Sequence, residues 1–397
     1  MLYKELLTEE LNQKSEGFRK FALDQTQDLS AYLDKLARFC QKSYTEIVLV
    51  LQRTENYGAM PADEFESSED FTFLFDQNWQ NHEEARQWAF EILQKRTTFA
   101  ADGSQLFFER EVSLPVGAIQ IGWFENPHDE TKGYKKNAEF RVLAPEDLML
   151  PDEPYIQETI VGLRRFEAEI AKVSEFLESK KDWQKRGERM PVAFYDNTLL
   201  LSISVSTKDF EEDFIGKLVD LVKLSRDCRV PLVGYVDRSY ARDLMTMLDI
   251  SMEEKRSSLR TLDDASILHA FNLKNWGDRT PFCYSRRRGL DAFIDWESGK
   301  SIVGFVYLQT TADNVPARLD IPSWIYEEGF LPEVLDTVRA ECVIGLGYPY
   351  ALETADQTAV ITLRDREIFL QALQGFAKEN NLNLRVSRKS ASKGRRR

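Results

Sequence analysis

The sequence predicts an α/β protein. Three observations carry that expectation. Several long stretches repeat apolar residues at three- and four-residue spacing, as an amphipathic helix requires. Short runs of β-branched and aromatic residues, bounded by Gly, Pro, Asn or Asp, stand between them as strands do. From Thr98 onward the two textures alternate, which is the signature of helices packed on a sheet.

Residues 1–95 read as a helical region. LTEELNQKSEGFRKFALDQ and LSAYLDKLARFCQKSYTEIVLVLQR carry the helical spacing, YGAMPADEFESSEDF is an acidic break, and NWQNHEEARQWAFEILQKRT resumes the helix. The segment TTFAADGSQLFFEREVSLPVGAIQIGWFEN predicts strands joined by turns, the first turn at Asp102-Gly103-Ser104, with a second strand pair around Ala138–Val142. Residues 153–180 predict the most sharply patterned helix, with Ile156, Ile160, Leu163, Phe166, Ile170, Val173 and Leu177 on one face. PVAFYDNTLLLSISV reads as a strand, or as a hairpin turning at Asp196-Asn197. Then follow a helix (DFIGKLVDLVKLSRDCRV), a buried strand (PLVGYVD), a helix (SYARDLMTMLDI), a strand (SIVGFVYLQTT) and a helix (FLPEVLDTVRAECV). TAVITL is expected as a short strand, and REIFLQALQGFAKENN as the last helix.

Composition narrows the function classes. With 397 residues, 43% apolar and 30% charged, the chain can build a sizeable core. No run of about 18 apolar residues occurs, so no membrane span is expected. Cys40, Cys228, Cys283 and Cys342 are scattered without a C-x-x-C pair, which supports neither a zinc ribbon nor a disulfide framework and fits a reducing cytoplasm. The formal charge of −14 is uneven. From Arg385 the chain reads RVSRKSASKGRRR, seven bases and no acid, so residues 1–384 carry −21. A body this acidic repels a phosphate backbone unless metal ions or basic patches intervene. The tail, residues 385–397, is either an electrostatic anchor for nucleic acid or a disordered end.

Several catalytic signatures are missing from the sequence: a P-loop, a G-x-S-x-G elbow and H-E-x-x-H. His82, His128 and His269 have no ligand spacing. Chemistry here therefore calls for carboxylates and a hard cation such as Mg²⁺ or Mn²⁺. Asp102 follows the apolar TTFAA, and Asp196 lies between PVAFY and LLLS. A carboxylate in or at the end of a buried strand needs a partner, or it neutralises, and a divalent cation is one such partner. A turn role for each is the plainer alternative, since Asp-Gly and Asp-Asn both suit turns. On the 153–180 helix, Glu167 and Glu169 lie about 200° apart. Glu167 borders Phe166 and is the candidate third acid, with Glu169 its competitor.

Asp-Gly-Ser after a strand, a long helix carrying an acid, and a second strand-borne Asp together resemble the NurA family of DNA-end-processing nucleases. PLVGYVDRSYARDL is similar to that family's central strand and helix, and GYPYALETADQTAVITLRDREIF to its C-terminal motif. The resemblance runs from Phe99 to Phe376. It implies an RNase H-like, or PIWI-like, mixed sheet flanked by helices, with residues 1–95 as an N-terminal helical extension and residues 96–384 as the nuclease core. It further implies a homodimer, manganese-dependent DNA cleavage in double-strand break repair, and a partner hexameric ATPase of the HerA type. By motif, Asp102, Glu167 and Asp196 match the family's metal-binding acids, and Tyr348 the tyrosine before the C-terminal motif. The second motif reads Asp196-Asn197-Thr198, and Asp356 stands where the family places a histidine. An aspartate keeps a metal-ligand role and hardens the site, but it does not replace imidazole as a neutral-pH acid or base.

The expected chemistry is metal-assisted phosphodiester hydrolysis, with Asp102, Glu167, Asp196 and Asp356 around Mn²⁺ or Mg²⁺. Arg238 and the run Arg286-Arg287-Arg288 are the candidate DNA contacts. Without a P-loop the chain cannot drive its own movement along DNA, in line with an external motor. Two other readings stand beside this one: a catalytically weakened nucleic-acid-binding subunit of the same fold, and an acidic adaptor whose aspartates only make turns.

Overall fold

The computed structural model describes residues 3–108, 112–149, 158–201, 208–254 and 262–385. The chain divides into two compact units, Met1–Asn78 with Tyr235–Tyr326, and Trp79–Gly234 with Glu327–Arg397. It starts in the first unit with α1 (Lys4–Gln13), α2 (Ser15–Cys40), α3 (Tyr44–Leu51) and β1 (Gly58–Pro61). It builds most of the second with α4 (His82–Leu93), β2 (Thr98–Phe107), β3 (Gly117–Asn126), β4 (Lys135–Leu143), α5 (Glu158–Lys180), β5 (Val192–Tyr195), α6 (Lys208–Cys228) and β6 (Leu232–Val236). It returns to the first with α7 (Asp243–Ser251), α8 (Asp264–Phe271), β7 (Cys283–Arg286), β8 (Val303–Leu308), β9 (Ala317–Pro322) and α9 (Ser323–Glu327). It finishes the second with α10 (Leu331–Ile344), α11 (Tyr350–Ala359) and α12 (Leu363–Glu379). The N-terminal helices thus share a unit with residues 235–326, and the compact units do not divide at residue 95.

In the first unit the strands run β1-β7-β8-β9, all antiparallel. β1 lies inside the stretch expected as an acidic break. β9 was not legible as a strand, because Arg318 and Asp320 interrupt its apolar run. All six of its residues are nevertheless buried. Arg318 makes that possible by reaching Asp243 at 2.7 Å and Asp320 at 2.8 Å, so one buried cation is shared by two buried acids. The C-terminal half of α2 buries Tyr32, Leu36 and Phe39. There Lys35 is paired with Asp249 at 2.7 Å.

The second unit positions the candidate site. Its strands run β6-β5-β2-β3-β4. β2, β3 and β4 form an antiparallel meander, and β5 and β6 join the open edge of β2 in parallel. A meander extended by two parallel strands that return through helices is the RNase H-like arrangement, and the mixed sheet expected from the sequence is present. α5 packs on β2 and β3 with Ile160, Val161, Leu163, Phe166, Ile170, Val173 and Leu177 buried. Ile156, expected on the same face, lies outside the described residues, as do the end of LLLSISV and residues 386–397 of the basic tail.

Three local expectations are corrected. Asp102-Gly103-Ser104 is not a turn but the middle of β2, with Asp102 opposite Gly122 of β3. Asp196-Asn197 does not turn a hairpin, because β5 is parallel to both neighbours. TAVITL is not a strand: Thr358 and Ala359 end α11, and Thr362 caps α12 in a reciprocal pair of hydrogen bonds with Asp365. Among the described residues no helix is long and apolar enough to cross a membrane.

Candidate active site

Two glycines set the geometry. Adjacent residues of a strand face opposite sides of the sheet, and cross-strand partners face the same side. Gly103 faces α5: a Cβ there would stand 2.5 Å from Glu169 Oε1 and 2.8 Å from Arg165 Cγ. Gly122, the partner of Asp102, faces α11: a Cβ there would stand 2.4 Å from the Ala359 nitrogen and 2.9 Å from the Ala355 oxygen. The first glycine lets a helix carboxylate come down on β2. The second lets the backbone of α11 lie against β3, which brings Asp356 to Asp102. Gln120, on the same face of β3, fastens that helix by donating to the carbonyls of Thr358 and Ala359 at 3.3 and 3.1 Å.

Asp196 reaches the site through sheet register. Ala101 pairs with Tyr195 in parallel, so Asp102, still within β2, stands beside Asp196, the first residue after β5. Tyr348, in the connection before α11, donates from its hydroxyl to Asp196 Oδ1 at 2.6 Å. Tyr348, Asp196 and Asp356 line one cleft of about 550 Å³ with Ile344, Leu346, Tyr350 and Glu353.

The electrostatics mark this as a cluster of like charges. The Asp102 carboxyl is pushed up to about 6, first by burial, then by Asp196 and Asp356, against a lowering hydrogen bond from the Gly103 backbone. Asp356 lies close enough for the two carboxyls to share a hydrogen bond. Glu169 is pushed up to about 7 by burial, with Asp102 and Asp196 adding to the rise and Arg165 opposing it. Buried carboxylates that crowd one another in this way behave as a site for a missing positive charge.

Of the acids weighed from the sequence, Asp196 and Asp356 act on Asp102, and Glu169, on the α5 side of β2, is acted on by Asp102 and Asp196. Glu167 is not among them. It points away, pairing with Arg164 at 3.0 Å and Lys217 at 3.4 Å, while Glu169 is only 7% exposed and packs over Gly103. Glu169 falls at three- and four-residue spacing from Phe166 and Val173, so it sits on the buried stripe that Glu167 only borders. That spacing was the signal by which the sequence could have chosen between them. Arg165 was missed altogether. Its Nη1 donates to the Gly103 carbonyl at 2.9 Å and lies 3.2 Å from Glu169 Oε1, holding the helix acid against the strand.

The candidate DNA contacts belong to the first unit. Arg238 is exposed and lies over the Tyr240 ring at 5.6 Å, Arg287 is 3.5 Å from the buried Asp243, and Arg288 is exposed at the end of the arginine run that Arg286 begins.

Among the described residues no group of three or more His, Cys, Asp or Glu is arranged to hold a metal ion as it stands. The donor set still fits a hard divalent cation. It is all oxygen, and Asp196 raises the pKa of both Asp102 and Glu169, with Asp356 adding to the rise at Asp102.

Fold and acid cluster define the class: an RNase H-like protein whose carboxylates gather where β2 and β5 run in parallel. The NurA domain model matches residues 96–361, more than half of the chain and the span that contains all four acids. The chain belongs to the NurA family, a family of nucleases. No curated protein matches it. Among solved structures, it is similar to the catalytic domain of human Endonuclease V at 15% identity, covering 76% of this chain and 92% of that one with a TM-score of 0.31. It is also similar to Endonuclease V from Bacillus subtilis at 14% identity (79% and 98% covered, TM-score 0.30). A NurA structure with manganese matches at 10% identity (75% and 93% covered, TM-score 0.37).

Proposed function

We propose that this chain is a divalent-cation-dependent deoxyribonuclease that hydrolyses phosphodiester bonds. The observation that carries the reading is the convergence of Asp102, Glu169, Asp196 and Asp356 from β2, α5, the end of β5 and α11. These four residues would hold Mn²⁺ or Mg²⁺, with Glu169 taking the place first given to Glu167. When bound there, such a cation would supply positive charge for activating water and stabilising the leaving oxygen. Tyr348 orients Asp196 through its 2.6 Å hydrogen bond, and Arg165 steadies Glu169. Asp356, beside Asp102, acts as an acidic ligand where the family has its histidine.

Family membership supports the finer reading: DNA end resection in double-strand break repair, a HerA-type ATPase as the motor, and action as a homodimer. Arg238, Arg286, Arg287 and Arg288 are the proposed backbone contacts, and the four free cysteines suit the cytoplasm. The test is incubation of end-labelled single- and double-stranded DNA with Mn²⁺, Mg²⁺ or chelator. Shortening with a divalent cation and none with chelator is expected. DNA left intact under every metal condition overturns the proposal.

A further inference from the structure

The turn from α10 to α11 carries a side chain that the fold does not ask for. The Gly347 nitrogen donates to the Cys342 carbonyl at 2.7 Å, which closes the end of α10 as a Schellman cap. In that motif the left-handed position normally belongs to glycine. Here glycines stand on both sides and Leu346 takes the left-handed position itself, with φ of 57°. A branched apolar residue there is strained, because its Cβ crowds the following carbonyl oxygen. Leu346 recovers none of this by burial, since it is 83% exposed. Gly345 cannot take a side chain, because a Cβ would stand 2.0 Å from the Tyr348 carbonyl oxygen. The turn is also rigid: the Ala351 nitrogen donates to the buried Glu341 at 2.9 Å, and Tyr350 packs edge-on to Phe124 at 5.8 Å. A strained backbone presenting an exposed apolar group on a fixed turn is a feature that function, rather than stability, explains.

Its position gives the ligand class. Leu346 lines the same cleft of about 550 Å³ as Asp196 and Asp356, with Ile344 and Tyr350 beside it. Ile344 and Tyr350 are each 39% exposed. The cleft is also lined by the acids Asp196, Glu353 and Asp356. Acids repel a bare phosphate, so the apolar wall suits a neutral, flat group attached to the phosphodiester rather than the phosphate itself. We propose that Leu346, with Ile344 and Tyr350, is the seat for one unpaired nucleobase next to the scissile phosphate. This rests on the nuclease reading above and adds to it a preference for strands whose terminal base is free to leave its partner.

The test separates base from backbone. Single strands labelled at the far end, with either a terminal thymine or a terminal abasic site, are titrated by fluorescence anisotropy. Ca²⁺ replaces Mn²⁺, so that no strand is cut. The wild type is expected to bind the thymine-ended strand at least about fivefold more tightly, as stacking of one base gives. Leu346→Gly and Leu346→Asn, both at home at positive φ, are expected to fold at least as stably as the wild type and to bring that ratio close to one. Equal binding of the two ends by the wild type, or an unchanged ratio in both variants, overturns the base seat. Because no cleavage is measured, that outcome is distinct from a failure of the nuclease reading, which is read from the cutting of end-labelled DNA.

Discussion

Replacing Asp102 with asparagine is expected to stabilise the cation-free protein while abolishing its response to a cation. The magnitude follows from the site. The Asp102 carboxyl rises from an ordinary 3.8 to about 6. One step in pKa corresponds to about 1.4 kcal/mol, so ionising this group in the fold costs about 3 kcal/mol. An acid whose folded pKa is raised binds its proton more tightly folded than unfolded. Stability is therefore greatest below about pH 4 and declines as pH rises through about 6. Asparagine keeps the shape and carries no charge, so the gain at pH 8 is at most about 3 kcal/mol and vanishes near pH 4. Thermal unfolding in chelator at both pH values reads the difference, at about 2–4 °C per kcal/mol for a unit of this size. Adding Mn²⁺ at a hundred times its dissociation constant is expected to raise wild-type stability by about 2.7 kcal/mol and Asp102→Asn by far less. An Asp102→Asn variant less stable than the wild type in chelator at pH 8, or one that retains the wild-type response to Mn²⁺, would show that Asp102 is neither a costly buried charge nor a cation ligand.

Four further outcomes are expected. Glu169→Gln should lower Mn²⁺-dependent cleavage at least about a hundredfold, whereas Glu167→Gln should change it less than about threefold, compared in one assay on end-labelled DNA. Gly122→Ala drives a methyl group into the backbone of α11, so a loss of about 1–3 kcal/mol by denaturant unfolding is expected, together with weaker Mn²⁺ binding as Asp356 is displaced. Tyr348→Phe removes the hydroxyl that orients Asp196 and should slow cleavage about tenfold or more, while the exposure of this pair keeps the change in thermal midpoint small. In the first unit, Arg318→Met takes the guanidinium from buried Asp243 and Asp320, leaving Arg287 3.5 Å from Asp243, and equilibrium unfolding should register a loss of about 3–5 kcal/mol.

Much of the second unit was legible because its elements obey simple periodicities. The stripe from Ile160 to Leu177 announced α5, and the short apolar runs announced β2, β5 and β6. Asp102 and Asp196 could be singled out because a carboxylate in an apolar strand is costly enough to need a reason. What escaped depended on contacts between elements distant in sequence. Asp102-Gly103 looked like a turn because glycine usually marks one. Here it makes room for Glu169, a requirement visible only once α5 lies on β2. β9 was hidden because a strand containing Arg and Asp reads as exposed unless Asp243, 75 residues away, is known to complete the pair. Thr358-Ala359-Val360 has strand-like composition, yet α11 runs through Ala359 and the Thr362–Asp365 cap starts the next helix. Glu169 was the near miss. Its spacing to Phe166 and Val173 was present in the sequence, but proximity to a single apolar neighbour favoured Glu167.

In the proposed site, carboxylates of four separate elements surround one cation. Anomalous diffraction at the manganese edge, from crystals soaked in Mn²⁺, tests it most directly. A peak bounded by carboxylate oxygens of Asp102, Glu169, Asp196 and Asp356 is the predicted result, with Glu167 still paired to Arg164 and Lys217. A fully soaked crystal without a peak at these acids, or one whose manganese is held by Glu167, would rule out this cation site.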